Sequence, residues 1–331
     1  MADRPSEDDL IARYFAPLAG EGGLGLRDDA ARIAPPAGCE VVLTVDGLVA
    51  GVHFFADDPP AAIAKKALRV NLSDLAAKGA TPLGFLLTLA LPRDWKPDWL
   101  ELFAKGLGED AAAFACPLLG GDTVSTSGPL TLSITALGSV PTGRMVPRDG
   151  ARAGDVLYVS GTIGDAALGL RVRAAGLPAH GEPAGPGSGA AFLLDRYLVP
   201  QPRSALAAAL RDHASGAMDV SDGLVGDLTK MMRVSGASAE VDIDRVPLSE
   251  AARATIAGDA RLIEAALTGG DDYEILASVP PGNTEAFEAA AANAGVPVAR
   301  IGTVTGGQGA PTFRDVRGAP MSFARGSYSH F

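Results

Sequence analysis

The sequence predicts an α/β chain of two domains, on three observations. Its 331 residues exceed the roughly 250–300 at which a single core stops growing, so two domains of about 150 residues each are expected. Short β-branched stretches alternate with longer segments of helical periodicity throughout the chain. The aspartates Asp28, Asp29, Asp46, Asp74, Asp122, Asp219 and Asp222 stand in short Gly- or Ser-containing turns beside apolar segments of both halves. Isolated buried anions are costly, whereas Mg²⁺ is held by one or two carboxylates together with substrate phosphates. Convergence of these side chains around divalent cations at a nucleotide site is therefore expected.

In the first half, Ser6 with Asp9 three residues on, then Leu10, Ile11, Tyr14 and Phe15, predicts a capped amphipathic helix ending near Gly20. A Gly-rich loop follows with Asp28 and Asp29. A β-branched strand over 40–45 ends at Asp46, and Pro59 and Pro60 open a long helix to Gly79. A strand at 83–91, a helix at 97–114, a short strand at 117–119 leading into Gly120 and Gly121, and a long strand at 130–140 complete a first domain, 1–147. The Gly- and Arg-containing connection 143–154 marks the boundary with a second domain, 148–331. There the expected strands are 155–160, 217–220, 239–243, 273–279 and 298–304, and the helices 163–175, 204–213, 223–235, 261–267 and 284–294. The tract 180–189, with its Gly, Pro and Ser, is expected to be a mobile surface loop.

The 47% apolar content supports real cores, while 39 acidic against 28 basic side chains give a net charge of −11. That balance argues against nucleic acid or an anionic membrane as partner, and anionic ligands then need metal ions. Cys39 and Cys116 lie far apart with no C-x-x-C, so neither a zinc site nor a disulfide framework is indicated. Residues 1–9 are acidic and lack the apolar stretch of a signal peptide. The longest apolar stretch, 83–91, is about half of the roughly 20 residues that span a bilayer. A soluble, cytoplasmic protein is expected.

Gly20, Gly22 and Gly25 match G-x-G-x-x-G, but they follow a helix and lead into a loop, whereas a dinucleotide fingerprint follows a strand and opens a helix. No G-x-x-x-x-G-K-[ST] occurs, which excludes a P-loop kinase. Asp74 shares an apolar stripe with Ile63, Ala67, Val70 and Ala77; it either ligates a metal or pairs with Lys78 one turn on. Strand alternation puts Asp219 and Ser221 opposite Met218 and Val220. Asp219 and Asp222 then read as metal ligands and Ser221 as a nucleotide contact, the alternative being Asp222 as a plain helix N-cap. Gly120 and Gly121 end a strand with two residues open to a polyphosphate, and Asp122 either holds the bridging Mg²⁺ or closes a simple turn. The same choice applies to 269–272, whose glycines otherwise end the preceding helix. His53 is either a phosphate contact or a core histidine. Arg144 and Arg148 either clamp a phosphate bidentately or are solvated.

Taken together, DDAA at 28–31, VDGLVAGVHF at 45–54, NLSDLAAKG at 71–79, GGDT at 120–123, MDVSDGL at 218–224 and GGDDYEI at 269–275 resemble the thiamine-monophosphate kinase family in order and spacing across nearly the whole chain. That family sits in the aminoimidazole ribonucleotide synthetase-like superfamily. The resemblance implies a two-domain fold whose N-terminal mixed sheet forms a barrel across a homodimer, with an α/β sandwich as the C-terminal domain. It implies ATP and thiamine monophosphate as substrates, thiamine diphosphate and ADP as products, and several Mg²⁺ ions. Carried onto this chain, Asp29, Thr44, Val45 through its carbonyl, Asp46, Asp74, Asp122, Asp219 and Asp222 would be metal ligands, with Asp46 and Asp122 next to the transferring group. Gly120, Gly121, Arg148 and Ser221 would contact ATP; His53, Asp271 and the aromatic Phe323 would meet thiamine monophosphate. Arg27, Val45 and Asp271 depart from the family's usual glycine, small hydroxyl residue and glutamate. Selenophosphate synthetase would need a cysteine after a Gly-rich arm, and the related hydrogenase maturation factor a C-terminal cysteine tail; the sequence shows neither.

Overall fold

A computed structural model describes residues 6–175, 188–324 and 326–327. The expected loop at 180–189 falls almost wholly outside the described residues. The chain divides into two compact units: Met1–Leu75 with Ala80–Gly143, and Ala76–Gly79 with Arg144–Phe331.

In the first unit the capping box forms as predicted: Asp9 N–H donates to Ser6 Oγ at 3.2 Å and Ser6 N–H to Asp9 Oδ2 at 3.1 Å. The helix it starts does not run unbroken to Gly20. Helix α1 (Glu7–Leu10) gives way to a π turn at Ile11–Phe15 and 3₁₀ turns at Ala16–Leu18 and Glu21–Leu26. Pro17 has no N–H with which to continue an α ladder. Helix α2 (Pro60–Ala77) follows strand β1 (Cys39–Val49), and strand β2 (Thr81–Pro92), helix α3 (Pro97–Ala113), strand β3 (Leu118–Thr126) and strand β4 (Thr131–Pro141) complete the order. The sheet runs β1-β4-β2-β3 and is mixed: β2 and β3 are parallel, joined through α3, and the other pairs are antiparallel. One face is apolar and buried through Leu48, Phe85, Leu87, Leu89, Leu132, Ile134 and Ala136. Helices α2 and α3 touch closely, since a Cβ on Gly106 would lie 2.6 Å from Ala61 Cα.

Two sites expected in turns lie inside strands. Asp46 pairs with Ile134 in mid-β1, and Gly120, Gly121 and Asp122 pair with Leu86, Leu87 and Thr88 in β3. Gly and Asp are poor strand formers, and cross-strand pairing with β4 and β2 overrides that preference.

The second unit is built on a six-stranded sheet of order β10-β7-β9-β5-β8-β6, antiparallel except for β10 with β7. Its strands are β5 (Val156–Ser160), β6 (Gly216–Val220), β7 (Ser238–Asp242), β8 (Glu274–Val279), β9 (Val298–Thr305) and β10 (Thr312–Arg314). Both faces are covered. Leu157, Val159, Met218, Val220 and Leu276 enter one core with helix α7 (Leu224–Ser235), while Tyr158, Ala217, Ile275, Ala277 and Val279 enter another with helices α6 (Ala207–His213) and α10 (Thr284–Asn293). Alternation of period two along each strand thus feeds two hydrophobic layers. Helices α4 (Asp165–Ala175), α5 (Gly189–Leu198), α8 (Glu250–Gly258) and α9 (Leu262–Thr268) gather at one side. Of these, α5 and α8, like strand β10, were not foreseen from the sequence. Their serine caps were nevertheless present: Ser188 Oγ accepts from Ala191 N–H and Ser249 Oγ from Ala252 N–H. Among the described residues, no helix is long and apolar enough to cross a membrane.

Helices α4 and α5 approach at Gly169, where a Cβ would fall 1.9 Å from the Leu193 carbonyl oxygen. Gly169→Ala is expected to force the helices apart and to lower unfolding free energy by about 1–3 kcal/mol, read from the urea midpoint at unchanged slope.

Candidate active site

The first unit carries its chemical groups in two places. On the buried face of the sheet, Thr44 Oγ1 donates a short hydrogen bond to Asp74 Oδ2, joining β1 to the apolar stripe of α2. Asp46 is two residues from Thr44 on the same face of β1, so the three oxygen-bearing side chains form one group. Lys78 donates to the Ala217 carbonyl at 2.7 Å within the second unit.

Asp122 belongs to the other face. The register aligns Asp46 with Ile134, Leu87 and Gly121, and Gly47 with Ser133, Thr88 and Asp122. Residues in one row share a face, so Asp46 and Asp122 point to opposite sides. They are also three strand spacings apart, about 14 Å. Within one chain the two carboxylates therefore belong to separate groups of oxygen donors. Asp122 instead lines a cleft of about 720 Å³ together with Asp28, Asp29, Gly120, Gly121 and Thr88, over an apolar floor that includes Leu86, Leu118 and Leu119. A Cβ on Gly121 would lie 1.8 Å from the Leu87 carbonyl oxygen, so strand packing alone requires glycine there. Among the described residues no group of three or more His, Cys, Asp or Glu side chains is already gathered as a metal cage.

His53 follows β1 in a turn, where its Nδ1 accepts the Val49 N–H at 3.0 Å and its carbonyl accepts Lys66 Nζ at 3.1 Å. In the neutral ring this fixes the proton on Nε2, which makes that nitrogen a donor.

In the second unit, alternation holds as predicted: Met218 and Val220 enter one core and Ala217 the other, which puts Asp219 on the face of Ala217. Asp222 is not a helix cap. Helix α7 begins at Leu224 with Gly223 as N-cap at φ 103°, without a side-chain cap. Asp222 instead pairs with Lys230, whose ammonium also meets Asp227 Oδ1 at 2.9 Å.

Asp227, which sequence reasoning missed, organises this turn. Its Oδ2 accepts the N–H groups of Ser221 at 2.9 Å and Asp222 at 2.8 Å, from a fully buried position. Burial pushes its carboxyl pKa up, against the pull of Lys230. Burial would lower the Lys230 ammonium, but its two carboxylate partners hold it above the ordinary lysine value. The missed signal was available, because Leu224, Asp227, Leu228 and Met231 fall on one helical stripe, the pattern that singled out Asp74.

The segment 269–273 is laid directly on this turn. Asp271 N–H donates to the Ser221 carbonyl at 2.9 Å and Tyr273 N–H to the Val220 carbonyl at 2.8 Å. A Cβ on Gly270 would be 2.3 Å from the Ser221 oxygen, and one on Gly223 would be 2.6 Å from Thr268. These glycines permit two backbones to touch; they do not merely end a helix. Asp272 is buried and accepts the Gly164 N–H at 2.7 Å and the Ala166 N–H at 3.3 Å. Burial drives its pKa well upward, Asp165 and Glu274 add to that, and the two N–H donors oppose it.

Phe323 is half-buried against the core, its ring edge-on to Phe313 at 5.3 Å. Arg148 is exposed, and its carbonyl faces the Ser235 hydroxyl at 3.5 Å. Arg144 is tied to Asp212 at 2.9 Å and to the Arg211 carbonyl.

Comparison with known proteins assigns this architecture to a class. The model of the N-terminal domain of AIR synthase related proteins matches residues 27–140, and that of the C-terminal domain matches 152–312. The thiamine-monophosphate kinase of Caulobacter vibrioides is 44% identical over 330 residues, covering 97% of this chain and 91% of that protein. The crystal structure of thiamine-monophosphate kinase from Stenotrophomonas maltophilia superposes with a TM-score of 0.82 at 38% identity, covering 97% of this chain and 98% of that one. A structure of AaThiL complexed with AMPPCP and TMP superposes with a TM-score of 0.78 at 29% identity, over 100% of both chains. The chain belongs to the thiamine-monophosphate kinase family of AIR synthase related proteins.

Asp227→Ala would strand the Ser221 and Asp222 N–H groups. A stability loss of about 1–3 kcal/mol is expected, with faster amide hydrogen exchange at those two residues than at the centre of α7. Unchanged exchange there would show that the turn holds without Asp227.

Proposed function

We propose that this protein transfers the γ-phosphoryl group of ATP directly to thiamine monophosphate, giving thiamine diphosphate and ADP. The observation that carries the proposal is the near-full-length likeness to thiamine-monophosphate kinases, at 44% identity in the Caulobacter relative. It is joined by a ligand pair, AMPPCP and TMP, in AaThiL. The acceptor is a phosphate monoester with a second pKa near 6, so at neutral pH it is already mostly a dianionic nucleophile. No general base is required, and the task is to position two anions and offset their repulsion.

The oxygen donors fit Mg²⁺, a hard cation that takes carboxylates and phosphates. Thr44, the Val45 carbonyl, Asp46 and Asp74 form one proposed ligand group and Asp29 with Asp122 another; Asp219 and Asp222 are assigned the same role in the second unit. When bound, Mg²⁺ supplies the positive charge that lets donor and acceptor phosphates approach. Gly120, Gly121, Arg148 and Ser221 are assigned to ATP. On the acceptor side, His53 would donate from Nε2 to the thiamine phosphate while Asp271 and Phe323 hold the remainder. A cytoplasmic location suits a protein that consumes ATP.

Incubation with ATP, Mg²⁺ and thiamine monophosphate should yield thiamine diphosphate, and Asp46→Asn should lower kcat by about 10²-fold or more. Near wild-type turnover of that variant at saturating Mg²⁺ would reject the ligand role.

A homodimer is part of the proposal. The outer face of the first unit's sheet exposes Leu43 at 64% and Val45 at 61%. By register, Leu86 and Val124 lie on the same face, an apolar surface of the kind that a partner covers. A second copy of the chain is the proposed occupant. Leu43→Asp with Val45→Asp should halve the mass measured by light scattering on a sizing column; an unchanged mass would place any dimer contact elsewhere.

A further inference from the structure

The four residues Asp271 to Glu274 alternate in environment. Asp271 and Tyr273 adopt left-handed backbone, with φ of 75° and 51°, a conformation that strains non-glycine residues and persists only when the surroundings enforce it. Asp272 and Glu274, between and after them, are buried to 1% and 0% exposure. The contacts of the buried pair enforce the left-handed backbone, together with the Asp271 and Tyr273 N–H bonds to the Ser221 and Val220 carbonyls.

Asp272 is fixed by the Gly164 and Ala166 N–H groups at the start of α4. Glu274 is held more tightly still. Its Oε2 accepts Arg203 Nε at 2.6 Å and the Ser160 hydroxyl at 2.6 Å; its Oε1 accepts Arg203 Nη2 at 2.5 Å and Arg196 Nη2 at 2.7 Å. Ser160 Oγ in turn accepts the Ile275 N–H at 2.8 Å. Space for the cluster depends on Gly161, where a Cβ would lie 2.2 Å from Glu274 Oε1 and 2.4 Å from Arg203 Nη2. The Arg203 contact is a bidentate fork of the kind a lysine cannot reproduce.

We propose that Asp272 and Glu274, with Arg203 and Arg196, are positioning residues that hold the Asp271 carboxylate where thiamine monophosphate docks. The proposal rests on the reading of Asp271 as a substrate contact. Asp272 and Glu274 are buried, so the proposed role needs no contact with substrate. They act by clamping the chain on both sides of Asp271 while its N–H stays bonded to the Ser221 carbonyl, which keeps the acceptor contact in fixed relation to the proposed ATP contact.

The test is a double-mutant cycle between Arg203→Lys and Asp271→Ala, with KM measured separately for each substrate. Arg203→Lys keeps the charge and loses the fork, and is expected to raise KM for thiamine monophosphate about 5- to 30-fold with little change in KM for ATP. In the Asp271→Ala background it should add almost nothing, since the group it positions is gone. Arg196→Lys serves as a second, milder variant if Arg203→Lys folds poorly, and should show the same split and the same non-additivity. Equal rises in both KM values, or effects that multiply in the double variant, would overturn the proposal and leave a purely structural cluster. An unchanged thiamine monophosphate KM in Asp271→Ala alone would instead overturn the substrate reading, and the positioning role with it.

Discussion

The second unit is organised by carboxylates that bind backbone N–H groups or guanidinium groups away from water. Asp227 gathers two N–H groups of the 221–222 turn, Asp272 two at the start of α4, and Glu274 two arginines and a serine. A buried carboxylate is tolerable only when its oxygens are occupied, and once occupied it fixes every partner at once. The loops at the ends of β6 and β8 owe their shape to this constraint. Their glycines then let those loops touch.

The division of labour between neighbouring acidic residues follows. In 219–227 and 271–274 one set of carboxylates is spent inside the protein and another is the set proposed to meet metal or substrate. Asp227 anchors while Asp222 is half-exposed beside Lys230; Asp272 anchors while Asp271 occupies strained backbone. Reading each acidic residue as a ligand overlooks that a ligand must itself be held.

Much of the architecture was legible in the sequence. The period-two alternation of 217–220, the proline-opened helix from 60 and the Ser6 capping box all reappear, because local signal and tertiary packing agree there. Where they disagree, packing wins. Asp46 and Gly120 to Asp122 read as turns but are held in strands by β4 and β2, and α5 and α8 were passed over although Ser188 and Ser249 stand as caps before their apolar faces. For the site, residue types were legible but relative placement was not: which face Asp122 takes depends on a register set by three other strands. Asp227 and Glu274 escaped notice because a carboxylate inside an apolar run looks the same in sequence whether it binds a metal, a backbone or an arginine.

Gly121 illustrates how such motifs constrain the chain. Its α-carbon passes so close to the Leu87 carbonyl that any side chain collides, so a selection for folded protein alone, blind to turnover, would still reject every other amino acid there. Invariance at that glycine would then record the spacing of two parallel strands, and by itself would be silent about nucleotides. Asp122 beside it, exposed and unconstrained by packing, is the place where intolerance to substitution would speak of chemistry.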